Sequence, residues 1–398
     1  MQIVRSGVVY RNMKSSAFLK DYYRSKVLDM IDGNEVYGSS PPDIFIGRAG
    51  YPNVYIGPLV PPTIGDTSIM GIPEKWVGKS IAEIVEFRSM LVRGMHRTNV
   101  NNADNGRIEE MIKELAISDK YELVRQEFSK RPDMRIRFDE NTQPFGPSAV
   151  LKKMELEGGK VNQTLEKAYA DTDMTASSAM VELYSKGIEV SRIQKMVSAG
   201  TVGIGKNRKL VPTRWGITAV DDTLGKNNLK TVKDNEELKE EVLVYQNDAL
   251  DNRWLIMMFP GSWEYELVEA WYPNTTWNKE SSNIQIFSSY EPYKGRSKYA
   301  EIGGCYYAAR LASSELLLKM DRQAKVAILR EAHPGYIMPV GVWNVREHVR
   351  DALRREPLRF ENTRSAIEFI AKKMDIPIKT WMENSNVLRQ VTRQKRLT

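Results

Sequence analysis

The sequence predicts a mixed α/β (α+β) fold: a two-part chain with mixed sheets and packed helices, not a regular Rossmann fold. Three observations carry this expectation. Short runs rich in Ile, Val, Tyr and Trp are interspersed with amphipathic helical stripes. Pro and Gly clusters punctuate them. Strands and helices do not alternate one for one, as a doubly wound sheet requires. With 41% hydrophobic and 27% charged residues among 398, the chain has a folded protein's composition and enough material for two cores.

The first forty residues read as helical turns joined by polar loops. Asp43 to Pro62 reads as two short strands around Gly47-Arg48-Ala49-Gly50-Tyr51, with Pro41, Pro42, Pro61 and Pro62 keeping helices out of the unit. Ser80 to Arg93 places Ile81, Ile84, Val85, Leu91 and Val92 on one helical stripe, with Arg88 in its middle. Helices are expected at Asn105 to Ile117 and Ala176 to Ser185, and a strand at Leu210 to Trp215. The apolar runs Trp254 to Phe259 and Trp263 to Trp271, joined by Pro260-Gly261-Ser262, read as a hairpin. The polar stretch Asn274 to Asn283 is the expected boundary between parts spanning 1–280 and 281–385, followed by a basic tail over 386–398. Beyond it, Ile284 to Phe287 reads as a strand and Gly303-Gly304 opens a helix through about Ala324. Lys325 to Arg330 reads as a buried strand, and Asn344 to Arg355 and Arg364 to Lys373 as helices.

Charge and cysteine content narrow the function classes. The 58 Lys+Arg against 51 Asp+Glu leave a net charge of +7. Residues 341–398 hold 13 of the cations and 7 of the acids, a balance of +6, so the first 340 residues are near neutral. One cysteine, Cys305, forbids an intrachain disulfide. His96, His333, His348 and Cys305 could form a zinc site only by converging from distant segments, so zinc is not expected. The longest wholly apolar run, Trp254 to Phe259, is far below the ~20 residues of a spanning helix, and no apolar signal region opens the chain. No membrane partner is therefore expected.

Several residues carry candidate chemistry. Arg88, central on an apolar face, needs a partner once buried: a carboxylate, or a phosphate or carboxylate of a ligand that its planar fork would clamp. Gly47, Arg48 and Gly50 could present backbone N–H groups to an anion, and Gly303-Gly304 before a helix offers the same choice between anion binding and close packing. Lys209, Arg214 and the Asp221/Asp222 pair fall near one element, where a helix cap competes with metal binding. Glu331 and His333, just past a buried strand, could act as acid and base or simply bond a loop. Arg346, Arg350 and Arg354 repeat at i, i+4 and i+8, as a solvated face or as a ridge that contacts DNA phosphates. Gln394 and Leu397 have the Gln-x-x-aliphatic spacing that begins a sliding-clamp-binding peptide.

Five blocks together resemble a known family: Ser40 to Pro52, Gly57 to Pro62, Thr142 to Ser148, Arg208 to Thr223 and Leu329 to Trp343 are similar to the archaeal Nre family of DNA repair proteins. The resemblance implies a two-part chain, a role in archaeal DNA damage repair, and docking on the replication sliding clamp through a C-terminal peptide. It also implies a cytoplasmic protein, nucleoid-associated when acting on DNA. Family members begin with a cysteine-rich zinc segment; Val4 to Ser16 contains no cysteine, so no metal is carried over. The family's clamp peptide ends in two aromatics, and Gln394 to Thr398 matches its first half. The competing expectation is an enzyme that binds a nucleotide or nucleotide-type ligand, with Arg48, Arg88, Arg214, Glu331 and His333 lining the pocket.

Overall fold

A computed structural model describes residues 26–103, 106–133, 142–275, 277–278, 281–336 and 340–393. Contacts divide the chain into residues 1–216 with 337–341 and residues 217–336 with 342–398. This division falls elsewhere than the polar stretch 274–283 that the sequence suggests. Val4 to Ser16, Gln394 and Leu397 lie outside the described residues. Among the described residues no helix is long and apolar enough to cross a membrane.

Unit 1 is built on a six-stranded sheet of β1 (Glu35–Ser40), β2 (Ile44–Ile46), β3 (Asn53–Val60), β4 (Val92–Asn99), β5 (Glu122–Phe128) and β6 (Ser148–Leu156), in the order β1-β5-β6-β4-β3-β2. All neighbours are antiparallel except β4 and β6. The two strands expected around Gly47 to Tyr51 are β2 and β3. Gly57 and Gly94 make close approach possible: a Cβ on Gly57 would stand 1.7 Å from the Gly94 carbonyl oxygen.

The helix expected from Ser80 to Arg93 is α1 (Ile81–Ser89), opened by a capping box in which the Glu83 amide donates to the Ser80 hydroxyl at 3.2 Å and the Ser80 amide to the Glu83 carboxylate at 2.8 Å. It stops four residues early because Val92 pairs with Val60 in β4, a ladder that wins over the helical period. Next come α2 (Arg107–Ile117), α3 (Gln163–Ala170), α4 (Ala176–Ser185), α5 (Val190–Ala199) and α6 (Thr213–Val232). The strand expected at Leu210 to Trp215 is absent. Leu210 and Val211 make single backbone bonds to Val100 and Ser198, and Pro212 then starts α6 by accepting from the Trp215 and Gly216 amides. Ile217, Val220 and Leu224 are buried on one face of α6.

Unit 2 has the sheet β11-β10-β13-β9-β8-β14, formed by β8 (Val242–Ala249), β9 (Asn252–Phe259), β10 (Glu264–Trp271), β11 (Gln285–Glu291), β13 (Lys325–Ala332) and β14 (Leu358–Phe360), while β7 (Glu236–Glu237) pairs with β12 (Arg322–Gln323). β9 and β10 do not form the expected hairpin. β13 lies between them, antiparallel to β9 and parallel to β10. Val326, Ala327, Ile328 and Leu329 are all fully buried, and a strand apolar on both faces belongs at a sheet centre.

Alternation divides two cores. Trp254, Ile256, Met258, Val326 and Ile328 join the core shared with α7 (Gly304–Met320) and α8 (Trp343–Leu353). Leu255, Met257, Phe259, Ala327 and Leu329 join the opposite core, with α9 (Thr363–Lys373), α10 (Ile378–Asn384) and α11 (Asn386–Arg393). The expected tail thus begins as a packed helix, with Val387, Leu388 and Val391 buried.

Candidate functional site

In unit 1, the turn between β2 and β3 meets the first turn of α6. The Ile46 amide, on the edge strand, donates to the Thr213 hydroxyl at 2.9 Å. That tie brings Tyr51 and Trp215 into contact, ring centroids 5.0 Å apart and planes inclined by 57°. Both stay in solvent, Tyr51 at 49% and Trp215 at 44% exposure, although each could bury a large apolar area. Tyr55 is also exposed and carries the Arg97 guanidinium over its ring at 5.9 Å. Arg48 and Lys209 are exposed and Arg214 half-buried. The structure therefore joins Gly47, Arg48, Gly50 and Arg214 in one neighbourhood whose principal feature, the paired aromatics, the sequence reading did not single out. A Trp in a segment read as a strand cannot be told from a core Trp.

Part of the hydrogen bonding of the turn is internal. The Gly47 amide donates to Tyr55 O at 2.8 Å, the Tyr51 amide to Arg48 O at 3.3 Å and the Asn53 amide to Gly50 O at 2.9 Å. Gly50 sits at φ 81°, the left-handed conformation such a turn needs. What the turn offers a ligand is aromatic face and cationic side chain.

Arg88 lies elsewhere in unit 1, with 2% exposure. Its Nη1 is 2.5 Å from Asp43 Oδ2 and 2.7 Å from Met70 O, and its Nε donates to Pro144 O at 2.8 Å. Lys195 reaches the other Asp43 oxygen at 3.4 Å, and burial depresses its pKa. Arg88 is thus a buried ion pair that holds three loops to α1.

In unit 2, Glu331 and His333 lie at and beyond the end of β13. Glu331 is fully buried and accepts the Ile376 amide at 2.8 Å. His333 Nε2 stands 3.5 Å from Glu331 Oε2 and 3.9 Å from Asp375 Oδ2. The ring stacks on Tyr272, centroids 4.5 Å apart. The bond to Glu331 raises the pKa of His333 against the opposing effect of burial. These three side chains have a metal-binding donor set. Arg253 already supplies positive charge, with Nη1 2.7 Å from Asp375 Oδ1 and 3.6 Å from Glu331 Oε2. The residues therefore suit an ion-paired clasp between β13 and the turn before α10 better than a cation site. Asp375 and Arg253 were not foreseen, because their acid and base partners come from distant segments.

The arginine ridge is the clearest correction. Arg346 has 1% exposure and holds Asp221 through Nη1 at 2.9 and 3.1 Å and Glu347 through Nε at 3.0 Å. Arg350 binds Glu315 at 2.8 and 2.5 Å and Glu347 at 2.8 Å. Arg354 alone of the three is exposed. The i, i+4 spacing that suggests a solvent ridge also describes the buried edge of a helix packed on acidic neighbours. Asp222 pairs with Arg310 and Lys226, so the adjacent aspartates face separate cations and hold no common metal geometry. Gly303, at φ 80°, and buried Gly304 open α7.

Two family models match the chain. Residues 14–278 match the family model described as archaeal Nre, N-terminal, and residues 291–398 match archaeal Nre, C-terminal. The chain is 39% identical over 357 residues to DNA repair protein NreB of Archaeoglobus fulgidus, covering 89% of this chain and 90% of that protein. It is 33% identical over 369 residues to DNA repair protein NreA of Haloferax volcanii, covering 89% and 87%. NreA of Archaeoglobus fulgidus is also 33% identical over 369 residues, covering 91% of each chain. On these matches, the chain belongs to the archaeal Nre family.

Proposed function

We propose that this chain is a DNA repair protein that contacts single-stranded DNA through the Tyr51–Trp215 surface and docks on the replication sliding clamp through Gln394 and Leu397. The names of its relatives support the repair role. The observation that carries the DNA contact is the half-exposed Tyr51–Trp215 pair, with exposed Arg48 in the same turn as Tyr51 and half-buried Arg214 next to Trp215 in the chain. Aromatic faces interleaved with cations bind unpaired bases by stacking and the backbone by charge, with little sequence preference. Clamp docking rests on the Gln-x-x-Leu spacing at 394–397, where a short turn would place Leu397 in an apolar pocket.

Fluorescence anisotropy with a labelled single-stranded oligonucleotide tests the first part. Each stacked base contributes about 1–3 kcal/mol, so Tyr51→Ala or Trp215→Ala should weaken binding by ~5- to 150-fold. Arg48→Ala and Lys209→Ala should each flatten the salt dependence by about 0.7 in log–log slope if the cation meets a phosphate. Unchanged affinity in the aromatic variants would remove this surface from DNA binding. For the second part, Gln394→Ala/Leu397→Ala should abolish capture by the purified clamp, and retained capture would place docking elsewhere.

A further inference from the structure

We propose that the groove beside the C-terminal helix is the seat of this chain's own residues 394–398. The groove lies in unit 2 and has a volume of about 1110 Å³, larger than the ~300–1,000 Å³ of small-molecule pockets. Its floor is apolar, formed by Phe259, Ile367, Met382 and Val391. Its rim is acidic, with Glu237, Glu240, Glu361 and Glu368 against Arg364. Arg364 pairs with Glu368 at 3.1 Å, and among the described residues Glu240 and Glu361 make no ion pair.

Three observations commit the groove to this occupant. Val391 and Thr392 themselves line it, so the chain leaves α11 at the groove wall. Five residues beyond Arg393 can span up to ~17 Å at about 3.3–3.6 Å each, enough to follow such a groove. Their composition, Gln394-Lys395-Arg396-Leu397-Thr398, complements it: Lys395 and Arg396 answer the glutamates, and Leu397 answers the apolar floor. A segment docked in this way is withheld from any other partner until the contact is displaced. The inference goes beyond the proposed function and does not depend on the partner being a clamp.

The test uses the full chain with Thr398→Cys labelled by an environment-sensitive dye; the native Cys305 is buried and leaves the new thiol accessible. A second chain adds Glu240→Lys and Glu361→Lys, exposed positions that contribute no core packing. Docking in cis gives blue-shifted emission that does not depend on protein concentration and is lost in the charge-reversed chain and at high salt. In parallel, a synthetic Arg393–Thr398 peptide should bind a chain lacking 394–398 at least about tenfold more tightly than the full chain, because a tethered segment competes at roughly millimolar effective concentration. Emission identical in the two charge states, equal peptide affinity for both chains, or binding to neither overturns the proposal. A blue shift that grows with protein concentration also overturns it, by assigning the tail to a second copy's groove.

Discussion

Replacing Glu266 by Gln should free α11 from its sheet while the rest of unit 2 stays folded. Glu266 is fully buried on β10. Its carboxylate accepts the Asn386 and Val387 amides at 3.0 Å each, the Ser385 hydroxyl at 2.6 Å, the Asn386 side-chain amide at 3.1 Å and the Ser288 hydroxyl at 2.9 Å. The two backbone amides belong to the first turn of α11, where N–H groups have no intrahelical acceptor. Hydrogen bonds to a charged group contribute about 1.5–3 kcal/mol each, and a negative charge at a helix N-terminus adds about 0.3–1 kcal/mol. Gln keeps the volume but replaces one oxygen with an NH₂ aimed at donors, so a charged bond is lost and another donor is stranded. A local cost of about 3 kcal/mol follows. Amide exchange through local opening should then accelerate by about 150-fold. Hydrogen-exchange mass spectrometry of residues 386–393, with β13 as internal reference, reads this directly. Equal protection in both proteins would refute the reasoning and leave the attachment to buried Val387, Leu388 and Val391 and to the bonds of Gln390 with Lys325 and Tyr290.

Three further outcomes are expected. Arg346→Ala should destabilise the protein by about 3–5 kcal/mol in urea unfolding, since it strands Asp221 and Glu347 in the interior; DNA affinity per folded molecule should not change, and a selective loss of affinity would restore the ridge. Burial pushes the Asp221 carboxyl up to about 6 despite Arg346, from an ordinary 3.8, so the folded state holds this proton more tightly than the unfolded state. The stability it contributes is therefore present below about pH 4 and lost as pH rises to about 6; the wild-type-minus-Asp221→Asn difference in unfolding free energy should fall over that window, and a flat difference would refute it. The Glu331 bond raises His333 above 6.5, so that pair's contribution is full below pH 6.5 and lost as pH rises through the raised value. Ring-proton NMR of Glu331→Gln should show His333 titrating at lower pH, while His348, pushed down to about 4 by burial, stays in place; an unmoved His333 would break the assignment.

The sequence reveals elements where one chain segment suffices to define them. Ala176 to Ser185 is α4 residue for residue, and the capping pair Ser80 and Glu83 marks the start of α1. It misleads where a distant partner decides. Val92 continues a helical stripe yet pairs, with Arg93, on β3, and the expected β9–β10 hairpin is opened by β13, which comes later in the chain. The same holds for sites. Arg88 is legible as a buried cation needing a partner, but its partner Asp43 lies across the unit. Trp215 is unremarkable in sequence because exposure, not residue type, makes it a candidate.

The distribution of charge bears on where the proposed DNA contact lies. Formal charge assigns residues 341–398 an excess of +6, yet Arg346 and Arg350 contribute little external field. Asp221 and Glu315, which lie outside that segment, neutralise them in its interior together with Glu347. Part of the excess is therefore cancelled where phosphate cannot reach it, and a polyanion senses only charges within about a Debye length of solvent. Arg354 and Lys372 remain exposed, while Arg364 and Lys379 each stand beside a glutamate one helical turn on, Glu368 and Glu383. In unit 1, by contrast, Arg48 and Lys209 are exposed, and Tyr51 and Trp215 offer half-exposed aromatic faces that can order a base. Charge count favours the segment beyond residue 340, whereas accessible charge joined to a stacking surface favours unit 1. The proposed contact rests on accessible charge, so the Trp215 variant, not the arginine ridge, is its decisive test.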